Sequence, residues 1–462
     1  PSDTLAFQLY AESLISEHEH NLDPSKIVEA MKNAGASLLT KGPSIWHIDP
    51  KDDNYLWNTM LYFFGSSAAP QIIKRQWDSV GWLDRAKASR PIIKVTNQDL
   101  LFNLPLPQDE NAGSHESSCA DLDVVEEIEF RSPNVVGKKV KATSITLGPN
   151  QVEVKSICSL ISSGTELKIF KGLFDEAQLD VNIDGMEDET MQYPLAYGYS
   201  LVGVVTKCGE EVADRDELIG KIVFTFSPHS THVVVDRNGI QIIPDGIDAE
   251  DAMFMPSVET ALSIIHDANI RGGENVAVYG QGLIGLLVNG ILSCQTLNLS
   301  SGEFGRITVF DTISERLSMA SEMGSSQALL PHSAAAAGPF DVSIEVSGNF
   351  RALQSAIDHT RNGGRIIVGS WYGNSDIHLK LGIDFHRSHK TIKTSQVSTI
   401  PAELTTLWSK ERRFALTWEL VKLLRPHRLI TRKVTLDEAQ TAYEKLDKGE
   451  EIAVSFTYEN KA

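Results

Sequence analysis

VAVYGQGLIGLLVNGIL, residues 276–292, is the stretch whose reading decides the fold. Val276 to Tyr279 form a short apolar run, the pattern of a strand buried on both faces of a parallel sheet. Gly280, Gly282 and Gly285 follow as G-x-G-x-x-G, and an apolar helix opens at Leu283 and Ile284. Each glycine answers a physical demand. The first permits a tight turn, the second lets backbone approach a pyrophosphate, and the third allows close packing of helix on strand. The free N–H groups and the positive dipole end of that helix suit phosphate oxygens. Such a triplet also arises by chance, so the surrounding pattern must carry the reading.

RITVFD, residues 306–311, reads as the next strand and ends in Asp311. A carboxylate at that tip accepts hydrogen bonds from an adenosine ribose and repels a 2′-phosphate, so NAD is expected in preference to NADP. Asp311 lies 31 residues after Gly280 (311 − 280), beyond the usual spacing, and the polar insert at 298–305 accounts for the excess. Arg316 blurs the choice, since a guanidinium there can stack on adenine or meet a 2′-phosphate. The plainer alternative makes Asp311 an ordinary helix cap ahead of Ser314 and Glu315. FDVSIEVSG (340–348) and GGRIIVGSWYG (363–373) are further β-rich runs, with a helix over 351–363 between them. Alternating strands and helices of this kind predict an α/β, doubly wound parallel sheet of Rossmann type. Gly348, Gly369 and Ser370 then fall where strands deliver the chain to the cofactor crevice.

With 462 residues the chain is expected to hold two or three domains. Its net charge of −19, without a basic cluster, argues against a nucleic-acid partner. No apolar run reaches the ~20 residues of a membrane span. Cys119, Cys158, Cys208 and Cys294 have no paired spacing, so neither a disulfide framework nor a zinc ribbon is supported, and a reducing compartment is expected. Pro1 stands where an initiator Met would be; a removed targeting peptide stays open, and with it cytoplasm or an organelle interior such as a plastid.

Four segments emerge. Residues 1–120 form an N-terminal extension of unknown role, with helical patterns at 3–19 and 24–34, an aromatic stretch at 55–65 and a polar linker at 107–121. Those aromatics read first as the filling of a small core rather than as a ligand surface. Residues 121–260 switch to short alternating strands, a partly open β-barrel that would hold the substrate. Residues 261–424 form the dinucleotide-binding domain. Residues 425–462, with the cap Thr435-Leu436-Asp437-Glu438 and a last strand at 452–458, return to the β domain.

A β domain, a nucleotide domain and a returning tail in this order resemble the medium-chain dehydrogenase/reductase superfamily. The resemblance covers about residues 124–460 and rests on SSGTELKIFKG (162–172), YPLAYGYSLVGVV (193–205), LIGKIVF (218–224), GQGLIG (280–285) and TLDEAQTAYEKL (435–446). FHRSHKTIKTSQV (385–397) and LWSKERRFALTWELVKLL (407–424) narrow the likeness to the branch containing bacteriochlorophyllide hydroxyethyl dehydrogenase. The resemblance implies a GroES-like domain, a Rossmann domain, a nicotinamide cofactor, a small-molecule substrate in the cleft between them, and a homodimer paired through the edge of the nucleotide sheet.

The zinc chemistry of the alcohol-dehydrogenase members does not carry over. Ser163 stands where they place a Cys, Gly198-Tyr199-Ser200 replaces Gly-His-Glu, and the third ligand position falls near Pro256. A catalytic zinc needs about three Cys, His or carboxylate ligands, so a metal-free site is expected. Without a Lewis acid, hydride transfer needs a proton donor at the developing oxyanion. Thr165, which faces the nicotinamide in relatives, Tyr199 and His229 are the candidates, with His232 close behind, while Glu166 reads as a structural partner. A lone Tyr or His in a β domain is more often structural than catalytic. Thr260 matches a cofactor-contacting position, and His386 and His389 read as loop residues. A zinc-independent oxidoreductase acting between an alcohol and a ketone is the leading expectation. NAD(P)H-dependent reduction of activated C=C bonds or quinones, and a non-catalytic NAD-binding structural or sensing role, are the alternatives.

Overall fold

The computed structural model describes residues 123–143, 145–174, 191–295 and 304–458, all within the unit Ser117–Ala462. The N-terminal extension and most of the insert at 173–192 lie outside the described residues, and so do the readings made there.

Alternation builds the first sheet. In β1 (Asp123–Ser132) and β2 (Val135–Thr143), an antiparallel pair, Ile128, Phe130 and Val136 point inward while charged residues take much of the other face. The short β4 (Leu195–Ala196) completes the order β2-β1-β4. A larger sheet follows from β3 (Gln151–Leu160), β5 (Leu201–Cys208), β6 (Ile222–Thr225), β7 (His232–Asp236) and β8 (Ile240–Ile242). The tail supplies its remaining strands, β15 (Ile430–Val434) and β16 (Ala453–Thr457), in the order β15-β16-β3-β5-β6-β8 with β7 paired to β3. Helix α1 (Thr165–Lys171) stops at Gly172, whose φ of 69° and amide bond to the Ile169 carbonyl close the last turn.

The third sheet is all parallel. Its strands β9 (Val276–Tyr279), β10 (Ile307–Phe310), β11 (Gln327–Leu329), β12 (Phe340–Glu345), β13 (Thr360–Val368) and β14 (Thr391–Thr394) run in the order β11-β10-β9-β12-β13-β14. This is the Rossmann order, with the reversal beside β9. Its helices are α2 (Met255–Ala268), α3 (Leu283–Gln295), α4 (Ser314–Glu322), α5 (Phe350–His359) and α6 (Lys410–Leu424). Val276 and Val278 bury one face of β9 against Leu286, Leu287 and Ile291 of α3, in a core that continues into Val202 and Phe224 of the first half. A second core joins Ile128 and Phe130 to Tyr443 of α7 (Ala439–Asp447) and to Phe456 of β16. Thr435 and Glu438 form the anticipated capping box, which opens a 3₁₀ turn that leads into α7. No helix among the described residues is long and apolar enough to cross a membrane.

Candidate active site

The glycine turn is shaped by contacts as tight as its sequence suggests. Gly280 has φ 99°, and a Cβ there would meet Ser347 at 2.7 Å. A Cβ on Gly285 would stand 1.9 Å from the Gly280 carbonyl oxygen, so the third glycine makes room for the turn itself. Gly282 has open space, with only Arg316 Nη1 at 3.9 Å from the position of a Cβ. The first amides of α3, at Leu283 and Ile284, lack intrahelical acceptors because of their position in the first turn. These features fit a dinucleotide pyrophosphate lying across Gly282.

Asp311 ends β10 as expected but does not cap α4, whose N-cap is Ile313. Its Oδ2 accepts the Gln281 amide at 2.6 Å and its Oδ1 the Ile313 amide at 2.9 Å. The carboxylate therefore buttresses the glycine turn and retains further lone pairs for a ribose. Arg316 Nη2 donates to the carbonyls of Gly449 (3.1 Å) and Glu451 (3.2 Å) in the returning tail, while its Nη1 stays beside Gly282.

Gly348, with φ 66°, donates its amide to Ser370 Oγ at 2.8 Å, which joins two of the expected crevice residues directly. Glu345 went unnoticed in the sequence. Fully buried at the end of β12, it accepts from the Ser347 and Gly348 amides (2.7 and 3.1 Å) and from Tyr372 Oη (2.6 Å). Burial, followed by the Glu345 charge, pushes the Tyr372 phenol well up. The available signal was a lone carboxylate deep in an apolar run.

A cleft of about 1740 Å³ lies beside this crevice. Thr165 and Tyr199 line it from the β domain, and Thr260, Gly369 and Ser370 from the nucleotide domain. Tyr199 Oη donates to Ser162 Oγ and stands 3.4 Å from Thr165 Oγ1, so three hydroxyls meet at one place. Thr260 Oγ1 donates to the Pro256 carbonyl at 2.9 Å.

His229 is elsewhere. Expected as an acid or base on the cleft, it is wholly buried, with Nδ1 2.7 Å from Ser159 Oγ and Nε2 3.0 Å from Glu166 Oε2. Glu166, equally buried, also accepts the Ser162 amide at 2.8 Å and the Tyr443 hydroxyl. Its partners are thus an amide, an imidazole and a phenol, with no arginine among them. Burial, then the Glu166 charge, raises Tyr443 far above its ordinary value. A Cβ at Gly198 would press on the imidazole at 2.9 Å, which accounts for the glycine beside Tyr199. The imidazole that does line the cleft belongs to His232. His386 sits exposed in the short helix Ile383–Arg387 rather than in the expected loop.

The donor set does not suit a catalytic zinc. Ser163, Tyr199 and Pro256 occupy the positions at issue, and among the described residues no three His, Cys, Asp or Glu side chains gather to hold a metal ion.

No family model matches the chain. D-guloside 3-dehydrogenase of Escherichia coli (strain K12) is 27% identical over 237 residues, which are 48% of this chain and 65% of that protein. The chain thus matches just under two thirds of that relative's length. Among solved structures, 2R,3R-butanediol dehydrogenase from Bacillus subtilis superposes with a TM-score of 0.58 at 19% identity, over 72% of this chain and 100% of that one. A putative zinc-binding dehydrogenase from Sinorhizobium meliloti 1021 bound to NADP gives 0.57 at 17%, over 73% and 100%. The fold is that of the medium-chain dehydrogenases. A GroES-like domain and a Rossmann domain share the cleft, as the sequence led us to expect.

Proposed function

We propose that this chain is a zinc-independent medium-chain dehydrogenase that uses NAD to interconvert a secondary alcohol and a ketone. One observation carries the reading: the hydroxyls of Thr165 and Tyr199 line the same cleft as Thr260, Gly369 and Ser370 at the nicotinamide side of the Rossmann sheet. The alcohol substrates in the names of the guloside and butanediol dehydrogenases support it. The stretches 385–397 and 407–424 support the narrower placement beside the bacteriochlorophyllide hydroxyethyl dehydrogenase branch.

NAD, when bound, supplies the hydride acceptor. The chain does the rest. Ser162, Thr165 and Tyr199 form a hydroxyl row that takes the proton from the substrate O–H and passes it to solvent at the cleft mouth as the C–H bond gives up its hydride. In the reverse direction Tyr199 donates to the developing alkoxide. His229 acts as a positioning residue: with Glu166 it fixes the Ser162 amide and the start of α1, and so the place of Thr165. Asp311 favours NAD, and Arg316 spends its Nη2 on two tail carbonyls. The outer edge of β14 is proposed as the homodimer seam.

Titration of the full chain with NADH and NADPH, followed by nicotinamide fluorescence on metal-analysed protein, tests this. Binding of NADH at least about tenfold tighter, with no stoichiometric zinc, is expected. Preference for NADPH overturns the cofactor assignment, one zinc per chain overturns the metal-free site, and binding of neither nucleotide overturns the dehydrogenase.

A further inference from the structure

One buried ionic group on the cleft has no part in the hydride chemistry. Glu259, next to Thr260 on α2, is 5% exposed and lines the cleft. Its Oε1 takes two donors from Arg413 of α6, Nε at 2.8 Å and Nη2 at 2.7 Å. Arg413, 1% exposed, also donates to the carbonyls of Val397 and Thr399, the latter at 3.3 Å. Four of its five N–H donors are thus engaged. Oε2 of Glu259 has no hydrogen-bond partner among the described residues.

Arg413 fixes the carboxylate through Oε1, which leaves Oε2 a positioned acceptor on a residue of the cleft wall. Burial raises the Glu259 carboxyl, with Arg413 and Lys410 opposing the rise. Lys410 also lines the cleft. One carboxylate therefore faces two cations, and the local field disfavours a further cation at Oε2. A neutral hydroxyl suffers no such repulsion.

We infer that Glu259 Oε2 reads a second, non-reacting hydroxyl of the substrate, which makes Glu259 a specificity-determining residue that selects diols and polyols over simple alcohols. Arg413 is the positioning residue that turns Oε2 to the cleft. The inference rests on the dehydrogenase reading above, since it presumes an alcohol in this cleft. It adds what that alcohol must carry beyond the reacting carbon. A site built around a hydrogen bond rejects the analogue that lacks the donor, because the buried acceptor is then left unpaired.

The test is ternary binding to the full-length protein saturated with NADH, read by nicotinamide fluorescence, so that no turnover is needed. The probes are butane-2,3-diol, butan-2-ol and 3-aminobutan-2-ol, which share the hydroxyl on C2 and differ only in the group on C3. The diol is expected to bind about tenfold or more tighter than the mono-ol. Glu259→Gln is expected to bring that ratio below about twofold, with butan-2-ol binding little changed. If the melting temperature shows that Glu259→Gln does not fold, Glu259→Asp takes its place; it keeps a charge opposite Arg413 but withdraws the acceptor by one methylene. Equal binding of diol and mono-ol by the wild type overturns the inference, as does a preference that survives substitution. Tighter binding of the amino alcohol than of the diol overturns the choice of hydroxyl over ammonium. Failure to bind NADH is a different result: it removes the dehydrogenase reading, and this inference falls with it.

Discussion

Gly285 has less room than any other described glycine, since a Cβ there would lie 1.9 Å from the Gly280 carbonyl oxygen. Gly285→Ala must push the turn outward, at a cost of about 1–3 kcal/mol; a lower melting temperature and NADH affinity reduced at least about tenfold are expected in parallel. Tyr199 and His229 should separate into two kinds of residue. Tyr199→Phe removes one hydroxyl from the cleft row, so turnover should fall about 100-fold while the unfolding free energy changes by about 1 kcal/mol. His229→Ala leaves Ser159 and Glu166 short of partners in a wholly buried site, and denaturant unfolding should register a loss of about 2 kcal/mol or more. If the histidine substitution left stability untouched and abolished turnover, the positioning role would be wrong. At this scale the glycines and Asp311 were legible, because backbone approach and a ribose-facing carboxylate demand particular residue types. The burial of His229 was not, since Glu166 and Tyr443 lie 63 and 214 positions from it in the chain (229 − 166 and 443 − 229).

Individual elements are pinned by polar contacts at their ends as well as by apolar faces. Arg365 of β13 donates to both oxygens of Glu274, just ahead of β9, and to the carbonyls of Ala268 and Asn269 at the end of α2. Burial works to raise the Glu274 carboxyl, yet hydrogen bonds from Arg365 and from the Arg271 amide hold it below its ordinary 4.5. A carboxyl lowered on folding contributes stability above its unfolded value and loses it as pH falls through the folded one. Arg365→Met should therefore flatten the acid side of the stability curve as pH falls below the ordinary 4.5 of Glu274; denaturant melts across acid pH would show it, and an unchanged slope would deny the pair its role. Strand and helix periods made β9, β10 and β12 readable in place and type, because buried parallel strands are largely apolar; β13 instead begins at Thr360, inside the helix expected over 351–363, because α5 stops at His359. The cross-ties were unreadable, because a single Arg in a strand does not name its partner.

For the whole molecule, cofactor binding and folding should be linked. A nucleotide that binds only the folded chain adds about 2.7 kcal/mol at one hundred times its dissociation constant, so NADH should raise the melting temperature in proportion to the logarithm of its concentration. The tail belongs to the seven-stranded sheet through β16 and β3 and touches the nucleotide domain through Gly449, Glu451 and Arg316. Truncation before residue 430 removes two strands and half of a core, and loss of cooperative unfolding is expected by calorimetry. By itself the sequence determined the Rossmann turn and the parallel strands around it, because each depends on residue type at short spacing. Only the tertiary structure decided that His229 is buried, that Arg316 is held by the tail, and that Glu259 meets Arg413 on the cleft wall. The arginine contacts join residues from 133 to 154 positions apart and the His229 site joins residues 63 positions apart, and no local pattern encodes either choice.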